Sequence, residues 1–526
     1  VKTATRAAIL TLLMVGGCGN QSDGATPADQ PLQTVSAESL KAQASAKGTR
    51  TFYENRGWKA AWSKNSADAL KSALSRRAQN GLDHIRFLDA TASDPAARDV
   101  ALTNAALAYA EALANGATDP RELYDIYTIP VAKADILSGL QTALDKGQVE
   151  QWLASLPPQD SAYKALSDAY LKLHDAASGE SWPSIPEGDL IHEGERDPRV
   201  PAIATALEKA GYLQPSMAQD SDSGSAGQVP QAGSASRNGD DNTLYTSRMK
   251  QAVEQMQEER GLAQDGVVGP ETLAELNRGP QAREKALAVA LERRRWLVRN
   301  PPPVRIDVNT AAAQLSYIRD GSVVDTRKVI VGRPDWETPQ LSAPMFRLVA
   351  NPTWTVPRSI EKEELSGLGP GALRRRNMVR RNGWIVQLPG PDNALGLVKF
   401  DLRDKYAIYL HDTGARSLFN RSLRQLSHGC VRVDNALDFA SRIAGDQGIT
   451  DKWQNARARG SETFVALPQN ITVRLLYHPT FVDSAGNVVW KQDVYGWNRA
   501  IAKQLGFDSS GSHRSIDVPS LDDLGP

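Results

Sequence analysis

Cysteine is nearly absent from this chain: 526 residues hold only Cys18 and Cys430. Long apolar runs are absent too. The longest near the N-terminus, Ala7 to Val15, is too short to cross a bilayer, and no later run approaches the ~18 residues a span needs. There is no excess of charge of either sign, with 61 Lys plus Arg against 61 Asp plus Glu, so no global field recruits nucleic acid. What remains is the composition of an ordinary globular protein, long enough for three or four domains at ~150 residues each.

The first cysteine has a local explanation. Lys2 and Arg6 open the chain, the apolar run follows, and Gly16-Gly17-Cys18 closes it. This is a signal-peptide layout over 1–17. Its small residues ending in Cys resemble a bacterial lipobox, which implies a lipidated Cys18, a polar tether over 18–35 and a periplasmic protein held to a membrane. Ordinary cleavage nearby, giving a soluble periplasmic protein, is the alternative. With Cys18 acylated, Cys430 is the sole thiol of the mature chain. A lone thiol in an exported protein is either a buried inert residue or a reactive group.

Residues 36–190 read as a helical scaffold, with Leu102, Ala105, Ala106, Tyr109 and Leu113 at helical spacing. His84 and His174 are lone histidines there and read as structural. A second helical unit spans 191–280, broken by a Ser-, Gly- and Asp-rich insertion at 216–243. Its Gly211-Tyr212-Leu213, Ala252-Val253 with Gln257, Asp265-Gly266 and Thr272 resemble the three-helix peptidoglycan-binding domain. A basic amphipathic helix with Arg293-Arg294-Arg295 connects onward through 281–302, and Pro301-Pro302-Pro303 stops it. Strand patterns then dominate 303–470, with a hairpin signal at Asp320-Gly321. Val473 to Tyr477 with Asn487 to Trp490 reads as a further hairpin, a helix follows within 471–507, and 508–526 reads as a disordered tail.

Two segments carry chemistry. Ile408-Tyr409-Leu410-His411-Asp412-Thr413 is an apolar strand ending in a histidine, and Ser427-His428-Gly429-Cys430-Val431-Arg432 follows after a polar loop. A cysteine nucleophile needs a base beside its thiol, and histidine titrates near working pH. His411 arrives from a neighbouring strand. His428, two residues before Cys430, shares its face if the segment is extended. The N–H groups around Gly429 and Cys430 are natural oxyanion donors.

This stretch resembles the active-site motif of the L,D-transpeptidases, the YkuD-type catalytic domain: a His, a gap, then Ser/Thr-His-Gly-Cys, an apolar residue and Arg or Asn. Asn351-Pro352-Thr353-Trp354 and Gln387-Leu388-Pro389-Gly390 are similar to the larger, YcbB-type branch. The resemblance implies an α+β multidomain protein: a helical N-terminal scaffold, a small three-helix peptidoglycan-binding domain, and a β-rich catalytic domain with a lid at about 357–400. It implies Cys430 as nucleophile and His411 as general base and acid, with Ser427, His428 and Gly429 shaping the turn and the oxyanion site. Arg432, Tyr409 and Trp354 are expected at the substrate. The implied reaction is 3→3 cross-linking of stem peptides through a thioester, with no metal or other cofactor, in a monomer whose partners are donor and acceptor stems.

Two same-fold alternatives differ only in the acceptor: an L,D-carboxypeptidase, and an enzyme that joins lipoprotein to peptidoglycan or releases it. A different class of reading is a non-enzymatic wall-binding scaffold. Three candidate ligands, His411, His428 and Cys430, are too few for a structural zinc site. The basic run Arg374-Arg375-Arg376 with Arg380-Arg381 reads either as a solvated face or as a partner for stem carboxylates.

Overall fold

A computed structural model of the chain describes residues 34–89, 92–177, 182–214, 242–260, 262–507 and 514–515. The expected signal segment, Cys18, most of the insertion and most of the expected tail lie outside the described residues. No helix among those described is long and apolar enough to cross a membrane.

The scaffold is a helical layer with its own core, in which Tyr53, Trp62, Leu107, Tyr170 and Trp296 are buried together. Its central helices are α1 (Pro95–Ala114), started by an Asp94 cap, and α2 (Ser161–Ala177). The connecting helix α3 (Pro280–Trp296) runs through this core and does not lie on its surface. The expected amphipathic helix is thus corrected: Arg293 and Arg295 are buried, and the helix ends at Trp296, before the prolines. Burial is tolerated because Glu292 pairs with Arg295 at 2.6 Å, both side chains fully enclosed. Arg293 lies over the rings of Tyr124, Trp296 and Tyr477. His84 and His174 are not isolated; His174 Nδ1 meets Glu284 at 2.7 Å, and His84 Nε2 lies 3.4 Å from Asp83.

The second helical unit packs three helices, Val200–Lys209, Ser247–Arg260 and Pro270–Leu276, around Ile203, Leu207, Val253, Met256 and Leu273. Gln257 explains part of its motif. Its amide donates to Asp265 Oδ1 and to the Val267 carbonyl, and its Oε1 accepts from the N–H groups of Asp265 and Gly266. One side chain therefore closes the whole turn between two helices.

The strand-rich region is a sheet that closes on itself. Its strands are β1 (Arg305–Asn309), β2 (Gln314–Arg319), β3 (Ser322–Gly332), β4 (Leu341–Ala350), β8 (Val398–Leu402), β9 (Leu410–His411), β11 (Val431–Val433) and β12 (Thr463–Leu476). Neighbours run β3-β11-β9-β8-β4-β12-β1-β2, and β2 pairs back onto β3. The Asp320-Gly321 turn, both residues at positive φ, makes that last hairpin as expected. A short strand β10 (Gln425–Ser427) lies parallel beside the end of β3. Helices α4 (Ala436–Asp446) and α5 (Thr450–Ala458) add Phe439, Ile443 and Trp453 to the core of the sheet.

Between β4 and β8 the chain builds a lid. Strands β5 (Trp354–Thr355), β6 (Met378–Arg381) and β7 (Trp384–Gln387) form a separate sheet. Val356, Ile360, Leu365, Leu373 and Ile385 give it a core of its own. The lid is shorter than expected at its end, because Val398–Leu402 belongs to the closed sheet.

The C-terminal reading needs two corrections. Val473 to Leu476 is the end of β12 and pairs with β1; the partner of Val488–Trp490 is Thr480–Val482. Alternating apolar residues mark a strand but not its partner. In the expected disordered tail, Arg514–Ser515 pairs in parallel with Ile85–Arg86. The helix α6 (Asn498–Gln504) packs on α3, and Tyr477, Tyr495 and Trp497 stack beside Tyr124 at the joint between scaffold and sheet.

Candidate active site

Register places the side chains. β9 and β11 run in parallel with Leu410 opposite Val431 and His411 opposite Arg432. Leu410 and Val431 are wholly buried in the core of the sheet. Alternation then turns Tyr409, His411 and Arg432 to the opposite face, and brings Cys430, at the mouth of β11, to that face beside them. Lys399 of β8 stands opposite His411 on the other side.

The histidine is held by its own backbone. His411 Nδ1 lies 2.6 Å from the carbonyl oxygen of Asp412, which only accepts, so Nδ1 carries the proton and Nε2 is the free base. Burial, the Arg432 charge and the Lys399 charge lower its pKa to about 3. The imidazole is therefore neutral at working pH. Asp412 is itself fixed: its Oδ2 accepts from the Leu397 N–H at 2.9 Å, and Arg416 approaches at 3.3 Å. Gly396 is required beside it, because a Cβ there would lie 2.4 Å from Asp412 Oδ2.

Cys430 is half-buried and free. Burial pushes its thiol up, while the neighbouring Tyr409 pulls it down. Trp354 stands near the Tyr409 side chain. Sγ lies 3.9 Å from the carbonyl oxygen of Ala407, a non-glycine residue at φ +58°. No hydrogen bond joins His411 to Cys430 in this resting arrangement; catalytic bonds are often long until substrate binds.

The turn before the thiol is tightly tied. The Ser427 hydroxyl donates to the Cys430 carbonyl oxygen at 2.6 Å and accepts from the Gly429 N–H at 3.1 Å. Thr338 donates to the Gly429 carbonyl at 2.8 Å, and Tyr495 donates to the Gly332 carbonyl at 2.6 Å. The C-terminal aromatic stack thus braces the strand end beside the turn before Cys430. This network corrects two expectations. Gly429 sits at φ +108°, so the segment is not extended and His428 does not share the face of Cys430. The Gly429 N–H is already spent on Ser427, so it is not an oxyanion donor here.

Residues 303–459 match the YkuD family model, described as the L,D-transpeptidase catalytic domain. This chain carries an L,D-transpeptidase catalytic domain of that family. A scaffold-domain model matches residues 47–169, and a model described as "Putative peptidoglycan binding domain" matches 231–276. A Haemophilus influenzae protein named "Putative L,D-transpeptidase" is 31% identical over 219 residues, which are 37% of this chain and 45% of that protein. The chain thus matches less than half the length of this curated relative. A solved L,D-transpeptidase from Mycobacterium smegmatis is 12% identical, covering 34% of this chain and 60% of its own, with a TM-score of 0.19. One from Stackebrandtia nassauensis is also 12% identical, covering 56% and 98%, with a TM-score of 0.21.

In this transpeptidase domain the lid meets the turn through charge. His428 turns away from the thiol toward the edge of Trp336 and lies 3.3 Å from Glu364 of the lid. Arg333 pairs with Glu363 at 2.5 Å. Arg432 is half-buried, with Glu364 of the lid and Cys430 as neighbours. The lid arginines 374–376, 380 and 381 are all exposed, and Arg380 bonds Glu361 at 3.1 Å. The structure thus gathers Trp354, Tyr409, His411, Cys430 and Arg432, assigns Ser427 and Gly429 to the turn, and moves His428 to the lid contact. Ala407 and Glu364 were missed in the sequence, since no motif marks them, and Lys399, though part of the stretch similar to the larger branch, was given no role at the site; only the folded sheet brings them near.

Proposed function

We propose that the chain is a cysteine-dependent L,D-transpeptidase that cross-links peptidoglycan stem peptides. The observation that carries this reading is the parallel register of β9 and β11, which sets a neutral His411 with a free Nε2 on the same face as Cys430. Both groups rest uncharged, since burial raises the thiol and lowers the imidazole. His411 then acts as a general base: Nε2 takes the thiol proton as Sγ attacks the carbonyl carbon of the third stem residue. The Cys430 N–H, left free by the Ser427 network, and the Arg432 cation face the developing oxyanion. The imidazolium returns its proton to the departing D-Ala amine, leaving a thioester on Cys430. The side-chain amine of a second stem attacks that thioester, His411 takes its proton, and a 3→3 link forms with the thiol restored. Trp354 and Tyr409 line the approach to the sulfur.

The same reading places the protein in the periplasm, tethered through a lipidated Cys18, with the three-helix unit holding the wall. Intact-mass spectrometry after incubation with a carbapenem, an acylator of enzymes of this kind, tests the nucleophile. A single adduct that Cys430→Ala abolishes is expected; an adduct that survives the substitution overturns the assignment. Muropeptide analysis after incubation with tetrapeptide-bearing sacculi reads the acceptor. Cross-linked dimers are expected, and trimmed tripeptides alone point to water as acceptor.

A further inference from the structure

A cleft of about 1000 Å³ lies where the three-helix unit, α3 and the C-terminal helix α6 meet. Seven Lys or Arg residues line it against two carboxylates. Both carboxylates are already engaged: Glu275 with Arg278 at 2.5 Å, and Asp493 with the Tyr477 hydroxyl at 2.7 Å and the N–H groups of Trp497 and Asn498. A second cavity, of about 880 Å³, shares Arg260 and Lys491 with the first and extends along the loop Asn420 to Leu426. That loop leads directly into the Ser427–Cys430 turn. Its walls hold five Lys or Arg residues and the single carboxylate of Glu258.

Several of the cations in these walls lie close enough to act on one another. Arg260 is buried with its guanidinium over the Trp490 ring. Burial and the neighbouring Arg260 charge both push the Arg283 pKa down, and Lys491 is lowered by burial, Arg424 and Arg260. Like charges held together in a recessed, partly desolvated wall oppose folding unless an anion offsets them. A concave cleft with charge on facing walls fits a narrow chain and excludes a flat bilayer surface.

We propose that these two adjoining basic cavities together bind the stem-peptide carboxylates of a peptidoglycan strand and lead that strand from the three-helix unit to the catalytic turn. The proposal rests on the transpeptidase reading above. Each stem supplies several carboxylates along a chain, which matches cations spread over two adjoining cavities better than a single anion does.

Arg499 and Lys503 are exposed on α6 at one end, Arg421 is exposed at the other, and none belongs to the catalytic machinery. The test measures binding of soluble uncross-linked glycan chains bearing tetrapeptide stems to the full chain, with stem carboxylates free or amidated. Carbapenem acylation of Cys430 is followed in parallel. Arg499→Glu with Lys503→Glu, and separately Arg421→Glu, are expected to weaken binding about tenfold and to steepen nothing in acylation, while Arg499→Lys with Lys503→Arg binds like the parent. Amidated chains are expected to bind the parent as weakly as free chains bind the reversed variants. Unchanged binding by variants that still acylate overturns the proposal, as does equal binding of amidated chains. Binding of anionic phosphatidylglycerol vesicles in place of glycan chains also overturns it, in favour of a lipid surface. Absence of acylation in the parent itself, with carboxylate-dependent binding intact, strikes the enzyme reading and leaves the cleft as a wall-anchoring site.

Discussion

The Ser427 hydroxyl donates to the carbonyl oxygen of Cys430 at 2.6 Å and accepts from the Gly429 N–H, so one side chain closes the turn that presents the thiol. Ser427→Ala removes both bonds inside a buried turn and leaves the Gly429 N–H without its partner. Stability is expected to fall by about 1–3 kcal/mol, read as a lower denaturant midpoint. Carbapenem acylation should slow as well, because Cys430 and its N–H lose their fixed direction. A variant that acylates at the parental rate shows the turn to be set by Thr338, on the Gly429 carbonyl, and by the Arg333 N–H, which donates to the Ser427 carbonyl at 2.9 Å.

His411 stays neutral down to about pH 3, and the Cys430 thiol is raised above its usual range. Neutral base and neutral thiol therefore coexist through the whole neutral range. The acylation rate is expected to be flat across that range, with no inflection near 6.5. A bell centred between an imidazole and a thiolate pKa shows that the resting site is an ion pair instead.

The same depression links His411 to stability. The unfolded chain takes up its proton near pH ~6.5 and the folded chain only near pH 3, so the unfolded state binds more protons in between. This contribution is fully present above pH ~6.5 and is lost as pH falls toward 3. Chemical denaturation of the parent and of His411→Gln at several pH values should show a shallower acid loss in the variant.

Gly396→Ala puts a Cβ 2.4 Å from the Asp412 carboxylate at a φ of +60°. Asp412 must shift, and with it the carbonyl that orients His411. A loss of about 1–3 kcal/mol is expected, together with slower acylation. If acylation is unchanged while stability falls, the Asp412 carbonyl does not set the imidazole.

Far from the site, the enclosed Glu292–Arg295 pair ties α3 into the scaffold. Glu292 also accepts from the Thr118 N–H and hydroxyl at 2.7 Å. Glu292→Ala leaves Arg295 buried and uncompensated, and about 3–5 kcal/mol should be lost. Thermal unfolding checks this, and a loss below 1 kcal/mol would mean that water reaches the arginine.

Much of the site was legible in the residues alone. A histidine closing an apolar strand and a cysteine after Ser-His-Gly name their own chemistry, and the strand patterns around them are local properties of the chain. The hairpin at Asp320-Gly321 is equally local, because the turn residues and their flanking strands are contiguous. The second hairpin was misassigned because Val473 to Leu476 finds its partner in β1, some 167 residues earlier. Alternation says that a strand has a buried face and nothing about which strand covers its edge.

The sequence by itself determined which residues are able to do chemistry: one thiol, two nearby histidines and a glycine that permits a sharp turn. The family resemblance favoured His411 over His428, and the tertiary structure supplies the geometry that fits that choice. Parallel pairing of β9 with β11 turns His411 toward the thiol's face, while the positive φ of Gly429 sends His428 to the lid. Both outcomes depend on hydrogen bonds between segments distant along the chain, and such pairings leave no signature in either segment read alone.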